Sequence, residues 1–151
     1  KGIKVHKKLL ASLSRQFPAT FDIITMFGVI EHFQSPFDEM VYINKLLKKG
    51  GIVAVWTGDV NGTMSRILGR RWWYWQGQHI QYFTHTSLNY LALLSGFEHI
   101  DTKFYPIAAT YEQVENSLSR SRGLGSNLTA QVGGILDLWV IHLLQQNSRL
   151  V

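Results

Sequence analysis

Three residues carry side chains suited to acid–base chemistry. Glu31 and His32 stand side by side shortly after the apolar run FDIITMF at 21–27, and His79 lies in a segment rich in aromatic residues. An imidazole titrates near neutral pH, so His79 is the leading candidate for a general base, with His32 and Glu31 as further catalytic candidates. The structural alternative is that His79 anchors its loop, while His32 satisfies loop backbone and Glu31 stays solvated.

We expect no metal site in this chain. Neighbouring side chains such as Glu31 and His32 diverge unless the backbone turns between them, so the pair is weak evidence for a bound ion. The 151 residues include no cysteine, which excludes disulfides and thiolate metal ligands. The histidines to which we assign only a structural or solvated role are His6, His85, His99 and His142.

A second group of candidate residues follows the apolar run IVAVWT at 52–57. The segment from about residue 60 to residue 86 is a predicted lid, in which tryptophans and tyrosines crowd together. The candidates to line a binding pocket there are Asp59, Tyr74, Trp75 and Tyr82. Aromatic rings there would stack on a sugar, a quinone-like ring or an alkyl chain; alternatively, they cover a sheet edge or a subunit contact.

The elements that must position these residues alternate between strand and helix. The continuous apolar run at 21–27 predicts a strand covered on both faces, and 52–57 predicts a second strand. Between them, Ser35 as N-cap and Pro36 at the first helical position begin a helix that runs to about Lys48. The short connections make the two strands parallel, which predicts an α/β fold with ligands bound beyond the carboxyl ends of the strands.

Weaker patterns predict the remaining elements. They are a strand at 2–6, a helix at 7–15, a helix from Thr84 or Thr86 to Leu94 with Gly96 after its end, a strand at 97–107, a helical turn or two at 111–118 and a loop at 119–127. Residues 136–144 fit a closing strand or a helix, and their aromatic and β-branched residues favour the strand. The C-terminal segment, 108–151, has the least defined pattern.

Composition indicates one globular domain over residues 1–151. Apolar residues make up 46% of the chain and charged residues 17%, which is enough apolar material for a core. We find neither a signal-peptide pattern nor an apolar run of about 18 residues, so we expect a cytoplasmic protein with no membrane span. The formal net charge is +5, but the basic residues are dispersed, so no nucleic-acid partner is expected. Because the sequence starts at Lys1 and not at methionine, we expect a fragment of a longer protein.

Several short motifs occur in a fixed order between about residue 20 and residue 100. They are Glu31-His32, Ser35-Pro36, LLKKGG at 46–51, HIQYF at 79–83, Ser87-Leu88 and Gly96-Phe97. Their order and spacing resemble the middle of the class I S-adenosylmethionine-dependent methyltransferase family. Lys49 stands where that family usually has proline, a change that a turn tolerates.

The resemblance implies a Rossmann-like sheet that is mostly parallel and has an antiparallel closing strand. It also implies S-adenosylmethionine as cofactor and S-adenosylhomocysteine as product, with the cofactor lying along Met26, Phe27, Gly28 and Val29. The family's glycine-rich cofactor loop and its ribose-binding acidic residue would precede residue 21, and neither is in this chain. By the same resemblance, residues 2–6 would be the third strand, and the first two strands would be missing.

The implied function is methyl transfer from S-adenosylmethionine to a small-molecule or glycan-like acceptor, by a fragment of a longer enzyme that is also a candidate homo-oligomer. The absence of the cofactor loop has two other interpretations. The chain could be a degenerate relative that binds no cofactor, or it could form half of a site that a partner chain completes. A different function class is a non-catalytic, methyltransferase-like interaction module whose exposed sheet edge docks a partner. A nucleic-acid-binding module that uses the basic clusters and tryptophans ranks third.

Overall fold

The computed structural model describes residues 2–72, 74–106 and 137–145. These ranges contain four α-helices, four strands and two short 3-10 turns. In chain order the elements are α1 (Leu10–Gln16), β1 (Phe21–Phe27), the first 3-10 turn (Ile30–His32), α2 (Pro36–Leu46), β2 (Leu47–Gly58), α3 (Thr63–Leu68), the second 3-10 turn (Gly69–Arg71), α4 (His85–Leu94), β3 (Phe97–Pro106) and β4 (Asp137–Gln145).

The strands form one sheet in the order β1-β2-β4-β3. β1 and β2 run parallel, and β4 is antiparallel to both β2 and β3. The described sheet therefore has three strands in one direction and one strand, β4, that opposes them. This confirms the predicted α/β class with an antiparallel closing strand, and it confirms a strand at 136–144.

Helices α2 and α4 pack on one face of the sheet and enclose the core. Val53 and Val55 of β2 belong to one buried cluster with Met40 and Ile43 of α2 and Leu88 of α4. Each of these side chains is at most 2% exposed. Burial of one such side chain stabilises the fold by about 1.5–3 kcal/mol, so this cluster holds β2 against the two helices.

Local sequence explains how α2 begins. Pro36 occupies the first turn together with Asp38 and Glu39, whose negative charges complement the helix dipole. The prediction that Ser35 caps the helix backbone is wrong, because its hydroxyl donates to Asp38 Oδ2 at 2.6 Å and its side chain makes no capping bond. A charged carboxylate is the stronger hydrogen-bond partner for that hydroxyl. The helix ends at Leu46, two residues before the predicted end.

Both ends of α4 are stabilised by capping interactions. Thr84 Oγ1 accepts from the Ser87 amide at 3.0 Å, and the Ser87 hydroxyl accepts from the Thr84 amide at 2.9 Å, so Thr84 is the cap. Gly96 follows the helix with φ of +81°, the left-handed conformation that suits glycine there. Asn44 of α2 donates to the carbonyl oxygens of Ser95 and Gly96, at 3.2 and 2.9 Å, and so ties the two helices together.

The prediction that β1 is covered on both faces is wrong. Met26 faces the core and is 4% exposed, whereas Ile23 is 63% exposed and Phe27 is 59% exposed. β1 is an edge of the described sheet, and among the described residues the buried cluster lies on the Met26 side alone. Sequence periodicity reports how apolar a strand is, but not whether a layer lies over each face.

Two predictions about short segments also differ from the structure. Residues 2–6 do not form a strand, and Ile3 and Val5 are exposed, since no described strand pairs with them. Helix α3 lies in a stretch for which the sequence predicts only turns and loop. The helical turns predicted at 111–118 and the loop predicted at 119–127 lie outside the described residues.

None of the described helices is suited to crossing a bilayer. The longest, α2, has 11 residues and carries charged side chains. A membrane-spanning helix needs about 20 mostly apolar residues.

Candidate functional site

The candidate site begins where β1 ends. The amide of Gly28 donates to the Trp56 carbonyl of β2 at 3.0 Å and extends the parallel pairing by one residue. Gly28 then takes φ of +65°, which turns the chain into the 3-10 turn Ile30–His32. Because β2 runs beside β1 in the same direction, this turn places Glu31 next to Thr57, whose hydroxyl donates to Glu31 Oε2 at 3.1 Å.

The loop that precedes α4 closes over this turn. The amides of Ile80 and Gln81 both donate to the backbone carbonyl of Glu31, at 3.1 and 3.0 Å. This two-point contact holds His79 beside His32, with their ring centroids 4.9 Å apart. One potential ligand atom from each of Glu31, His32 and His79 lies within 4.8 Å of the others. The structure therefore brings the three catalytic candidates together.

Both histidines are held through Nδ1. His32 Nδ1 lies 2.9 Å from the Gln78 carbonyl oxygen, and His79 Nδ1 lies 2.8 Å from that of Tyr74. A carbonyl oxygen can only accept, so each Nδ1 carries the proton, and each neutral ring keeps a lone pair on Nε2. Both rings thus anchor the loop, as the structural alternative predicts. The same bonds set the tautomer that acid–base or ligand chemistry at Nε2 requires.

Glu31 is buried, which makes the interpretation of a solvated carboxylate wrong. Its side chain is 1% exposed. Thr57 has one hydroxyl proton and donates it to Glu31, so it accepts from the Tyr74 hydroxyl, 2.7 Å away. Burial raises the pKa of Tyr74 to about 12, and the negative charge of Glu31 adds to this rise. Tyr74 therefore stays protonated at neutral pH and supports Glu31 through Thr57.

Tyr74 is also the packing centre of the loop. Its ring stacks on Trp72 with centroids 4.9 Å apart and lies 4.3 Å from the ring of His79. On its other side the ring rests against the backbone of β2, since a Cβ added at Gly58 would come within 2.8 Å of it. Glycine at position 58 is what allows this approach. The position of His79 thus depends on how closely Tyr74 packs on β2.

The four acceptor-pocket candidates divide into two groups. Tyr74 and Asp59 are buried, and Asp59 Oδ1 accepts from the amide of Asn61 at 2.8 Å, which shapes the turn after β2. Trp75 and Tyr82 are 43% and 38% exposed, and their rings lie 4.7 Å apart. Only the second pair presents ring surface of substantial area to solvent. Its rings remain the candidates for direct contact with an acceptor.

The cofactor candidates at the end of β1 divide in a similar way. The Met26 side chain is in the core, so a ligand could reach only its backbone. Phe27 and Val29 are exposed, and Gly28 between them has no side chain. This strand end therefore presents two exposed apolar side chains on either side of a glycine.

Sequence reasoning assigned no individual role to Thr57 or to Trp72. Thr57 links Glu31 to Tyr74 but reads as the last residue of an apolar strand. Trp72 is 3% exposed and stacks on Tyr74, whereas the run of aromatic residues gave no sign of which ring is buried. The only available signal for Thr57 is its place at the carboxyl end of a parallel strand, where ligands commonly bind.

Comparisons with known proteins give the family and the fold of the chain. A family model described as a methyltransferase domain matches residues 3–102. No curated protein matches the sequence. Among solved structures, a SAM-dependent methyltransferase from Archaeoglobus fulgidus has a TM-score of 0.62 at 13% identity; the match covers 93% of this chain and 66% of that one.

Two further solved structures show the same fold. A SAM-dependent methyltransferase from Thermotoga maritima has a TM-score of 0.57 at 18% identity, over 85% of this chain and 58% of that one. The 1,6-didemethyltoxoflavin-N1-methyltransferase of Burkholderia thailandensis, solved with 1,6-didemethyltoxoflavin and S-adenosylhomocysteine, has a TM-score of 0.53 at 16% identity, over 86% and 46%. The chain thus spans about two thirds of the Archaeoglobus protein and less of the other two.

At these identities the solved structures establish the fold alone, while the family model covers most of the chain. The fold and the family match lead to one assignment. The chain belongs to the methyltransferase domain family and has the fold of the class I S-adenosylmethionine-dependent methyltransferases.

Proposed function

We propose that the protein transfers a methyl group from S-adenosylmethionine to a small-molecule or glycan-like acceptor. The observation that carries this proposal is the meeting of Glu31, His32 and His79 at the end of β1, in a chain of the methyltransferase family. In open α/β sheets, ligands bind beyond the carboxyl ends of the parallel strands, and these three side chains lie there. The related Burkholderia enzyme was solved with S-adenosylhomocysteine and a small molecule, which supports the same classes of ligand here.

The cofactor supplies the methyl group on an electrophilic sulfonium. In this chain, the candidates to hold it are the exposed side chains of Phe27 and Val29 and the backbone of Met26 and Gly28. Gly28 has a positive φ, so a side chain there would strain the turn that leads to Glu31. The role of this strand end is to bind and orient, because alignment of the reacting groups carries most of the rate enhancement in such a reaction.

The acceptor is proposed to lie between the histidine cluster and the exposed rings. Trp75 and Tyr82 offer faces on which a sugar or another flat apolar surface can stack. His79 Nε2 has the lone pair needed to take a proton from an acceptor hydroxyl or amine. Glu31 and His32 orient the site around that nitrogen. We assign Asp59 and Tyr74 to the supporting wall of the pocket.

The test is a calorimetric titration of the purified protein with S-adenosylhomocysteine. We expect one site per chain, and we expect Gly28→Val to weaken binding at least about ten-fold, because a β-branched residue at φ of +65° distorts the strand end. The matched control is Gly50→Val, whose φ is +76° but which has no atom within 4 Å of an added Cβ. Equal affinity of the two variants would contradict the proposed cofactor position.

A specific observation favours a second candidate function, the non-catalytic interaction module. Phe21, Ile23 and Phe27 are 41%, 63% and 59% exposed along β1, an edge strand of the described sheet. Such an edge can accept a strand from a partner. A folded protein that carries the glycine-rich loop and still binds no S-adenosylhomocysteine would favour this second function over methyl transfer.

A further inference from the structure

We propose that Glu31, His32 and His79 bind a divalent transition-metal ion. One potential ligand atom from each of the three lies within 4.8 Å of the others. The sequence-based objection was that adjacent side chains diverge unless the backbone turns. The backbone does turn here, because Ile30–His32 forms a 3-10 turn that sets both Glu31 and His32 toward the loop carrying His79. The inference goes beyond methyl transfer, since binding of an ion needs neither cofactor nor acceptor.

The hydrogen bonds behind the histidines are those that a metal ligand requires. His32 and His79 each donate Nδ1–H to a backbone carbonyl, of Gln78 and Tyr74 respectively. Metal-binding histidines usually donate their second ring nitrogen in this way, which fixes the tautomer and the direction of the ligand nitrogen. If the site held only one general base, a hydrogen bond from Nδ1 to a backbone carbonyl would be needed on one histidine alone. Its occurrence on two histidines, whose ring centroids lie 4.9 Å apart, is what a shared ligand would need.

The charge of Glu31 provides an independent argument. Its carboxylate is 1% exposed, and burying an ionised carboxylate is costly unless a cation compensates it. The ion pairs found between described residues are Lys48 with Asp22 and Lys103 with Asp101, and neither involves Glu31. Thr57 supplies one neutral hydrogen bond to Glu31, as is common for a ligating carboxylate. A bound cation would supply the missing positive charge.

The donor set selects the class of ion. Two imidazole nitrogens and one carboxylate suit zinc or a similar first-row transition ion, whereas Mg²⁺ and Ca²⁺ prefer oxygen ligands throughout. Ligand atoms around tetrahedral zinc are about 3.4 Å apart, given metal–ligand distances of about 2.0–2.2 Å. The ligand atoms, which lie at most 4.8 Å apart here, must therefore approach to about 3.4 Å. His32 is the exposed member and can make this movement.

Three protein ligands leave a coordination position open. At that position the ion would bind an acceptor hydroxyl and make it more acidic, taking over the role assigned to His79 Nε2 in the absence of metal. The exposed rings of Trp75 and Tyr82 belong to the same loop. An acceptor stacked on those rings would then be held at two points.

The test is a calorimetric titration of the untagged protein with ZnCl₂ after dialysis against a chelator, repeated with Co²⁺ and followed by visible absorption. We expect one site per chain. We expect His32→Gln and Glu31→Gln each to weaken zinc binding at least about ten-fold. Loss of a residue that only hydrogen-bonds to a metal ligand already weakens binding by about ten-fold or more, so loss of a ligand should do at least as much. The control is His99→Gln, an exposed histidine of β3 outside the cluster, which should leave the affinity unchanged. Thermal melting of each variant shows that it is folded.

Two results would overturn the proposal: a folded wild-type protein that takes up no zinc, or His32→Gln that binds zinc as tightly as His99→Gln does. Either result would leave methyl transfer intact, because the S-adenosylhomocysteine titration contains no metal. Conversely, zinc binding without S-adenosylhomocysteine binding, in a protein that carries the glycine-rich loop, would support the metal site and count against the proposed function. The two proposals therefore fail separately.

Discussion

The contact between Gly58 and Tyr74 allows one sharp prediction, on the substitution Gly58→Ala. A methyl group at this position would lie 2.8 Å from two atoms of the Tyr74 ring and 2.9 Å from a third. The ring cannot easily withdraw, because its hydroxyl is bonded to Thr57 and its far face stacks on Trp72. Gly58 has no positive φ, so the expected effect comes from the overlap and not from backbone strain.

Overpacking of a core by one methyl group typically costs about 1–3 kcal/mol. For a chain of this size, a loss of about 2 kcal/mol lowers Tm by about 4–8 °C. We expect Gly58→Ala to show this decrease in differential scanning calorimetry. We also expect a changed near-ultraviolet circular dichroism spectrum, because Tyr74 is coupled to Trp72 and His79.

The control for this experiment is Gly77→Ala, in the loop that carries Tyr74. No atom lies within 4 Å of a Cβ added at Gly77, so this variant should melt with the wild type. If Gly58→Ala also melted with the wild type and kept its aromatic spectrum, the close packing of Tyr74 on β2 would be refuted. The dependence of the His79 position on that packing would fall with it.

Two further predictions concern a proton and a backbone conformation. The pKa of Tyr74 is about 12 in the folded protein, against an ordinary value of 10.0, so the unfolded chain loses this proton first and the free energy of unfolding should fall as pH rises from about 10 to about 12. Tyr74→Phe should show a smaller fall when the free energy is measured by urea denaturation with a chelator present. An equal fall in the variant and the wild type would contradict the raised pKa. Gly96→Ala should lower the free energy of unfolding more than Gly50→Ala does. Both glycines have positive φ, which costs an alanine about 1–2 kcal/mol, but a Cβ added at Gly96 would also lie 3.1 Å from Asn44 Nδ2. Equal losses in the two variants would show that the Asn44 side chain moves away at no cost.

Sequence reasoning was most accurate where the signal is local. The bounds of β1 match the predicted run at 21–27, because a continuous apolar segment between a Pro-containing turn and a glycine has few alternatives. Residue type alone indicated Gly96 as the residue after α4 and narrowed the cap to Thr84 or Thr86, of which the structure selects Thr84. Helix α3 escaped detection because it has six residues and no side-chain cap.

The site itself was only half predictable. Its members could be named, because Glu31, His32 and His79 carry reactive groups and occur in recognisable motifs. Their mutual placement could not be deduced, since it depends on contacts across the chain, such as the hydrogen bond between Thr57 and Glu31, 26 residues apart. The burial of Glu31 was missed for the same reason: it results from closure of the loop, which no local pattern encodes.

The carbonyl oxygen of Glu31, which accepts the amides of Ile80 and Gln81, also has a consequence for the order of folding. These partners are about 50 residues apart, so their contact gains stability only after β1 and β2 have paired. We therefore regard closure of the loop as a late event that follows the folding transition state. Substitutions in the loop should then speed unfolding more than they slow folding. We therefore expect the loop to open while the sheet stays intact, which would give ligands a route in and out that does not require global unfolding.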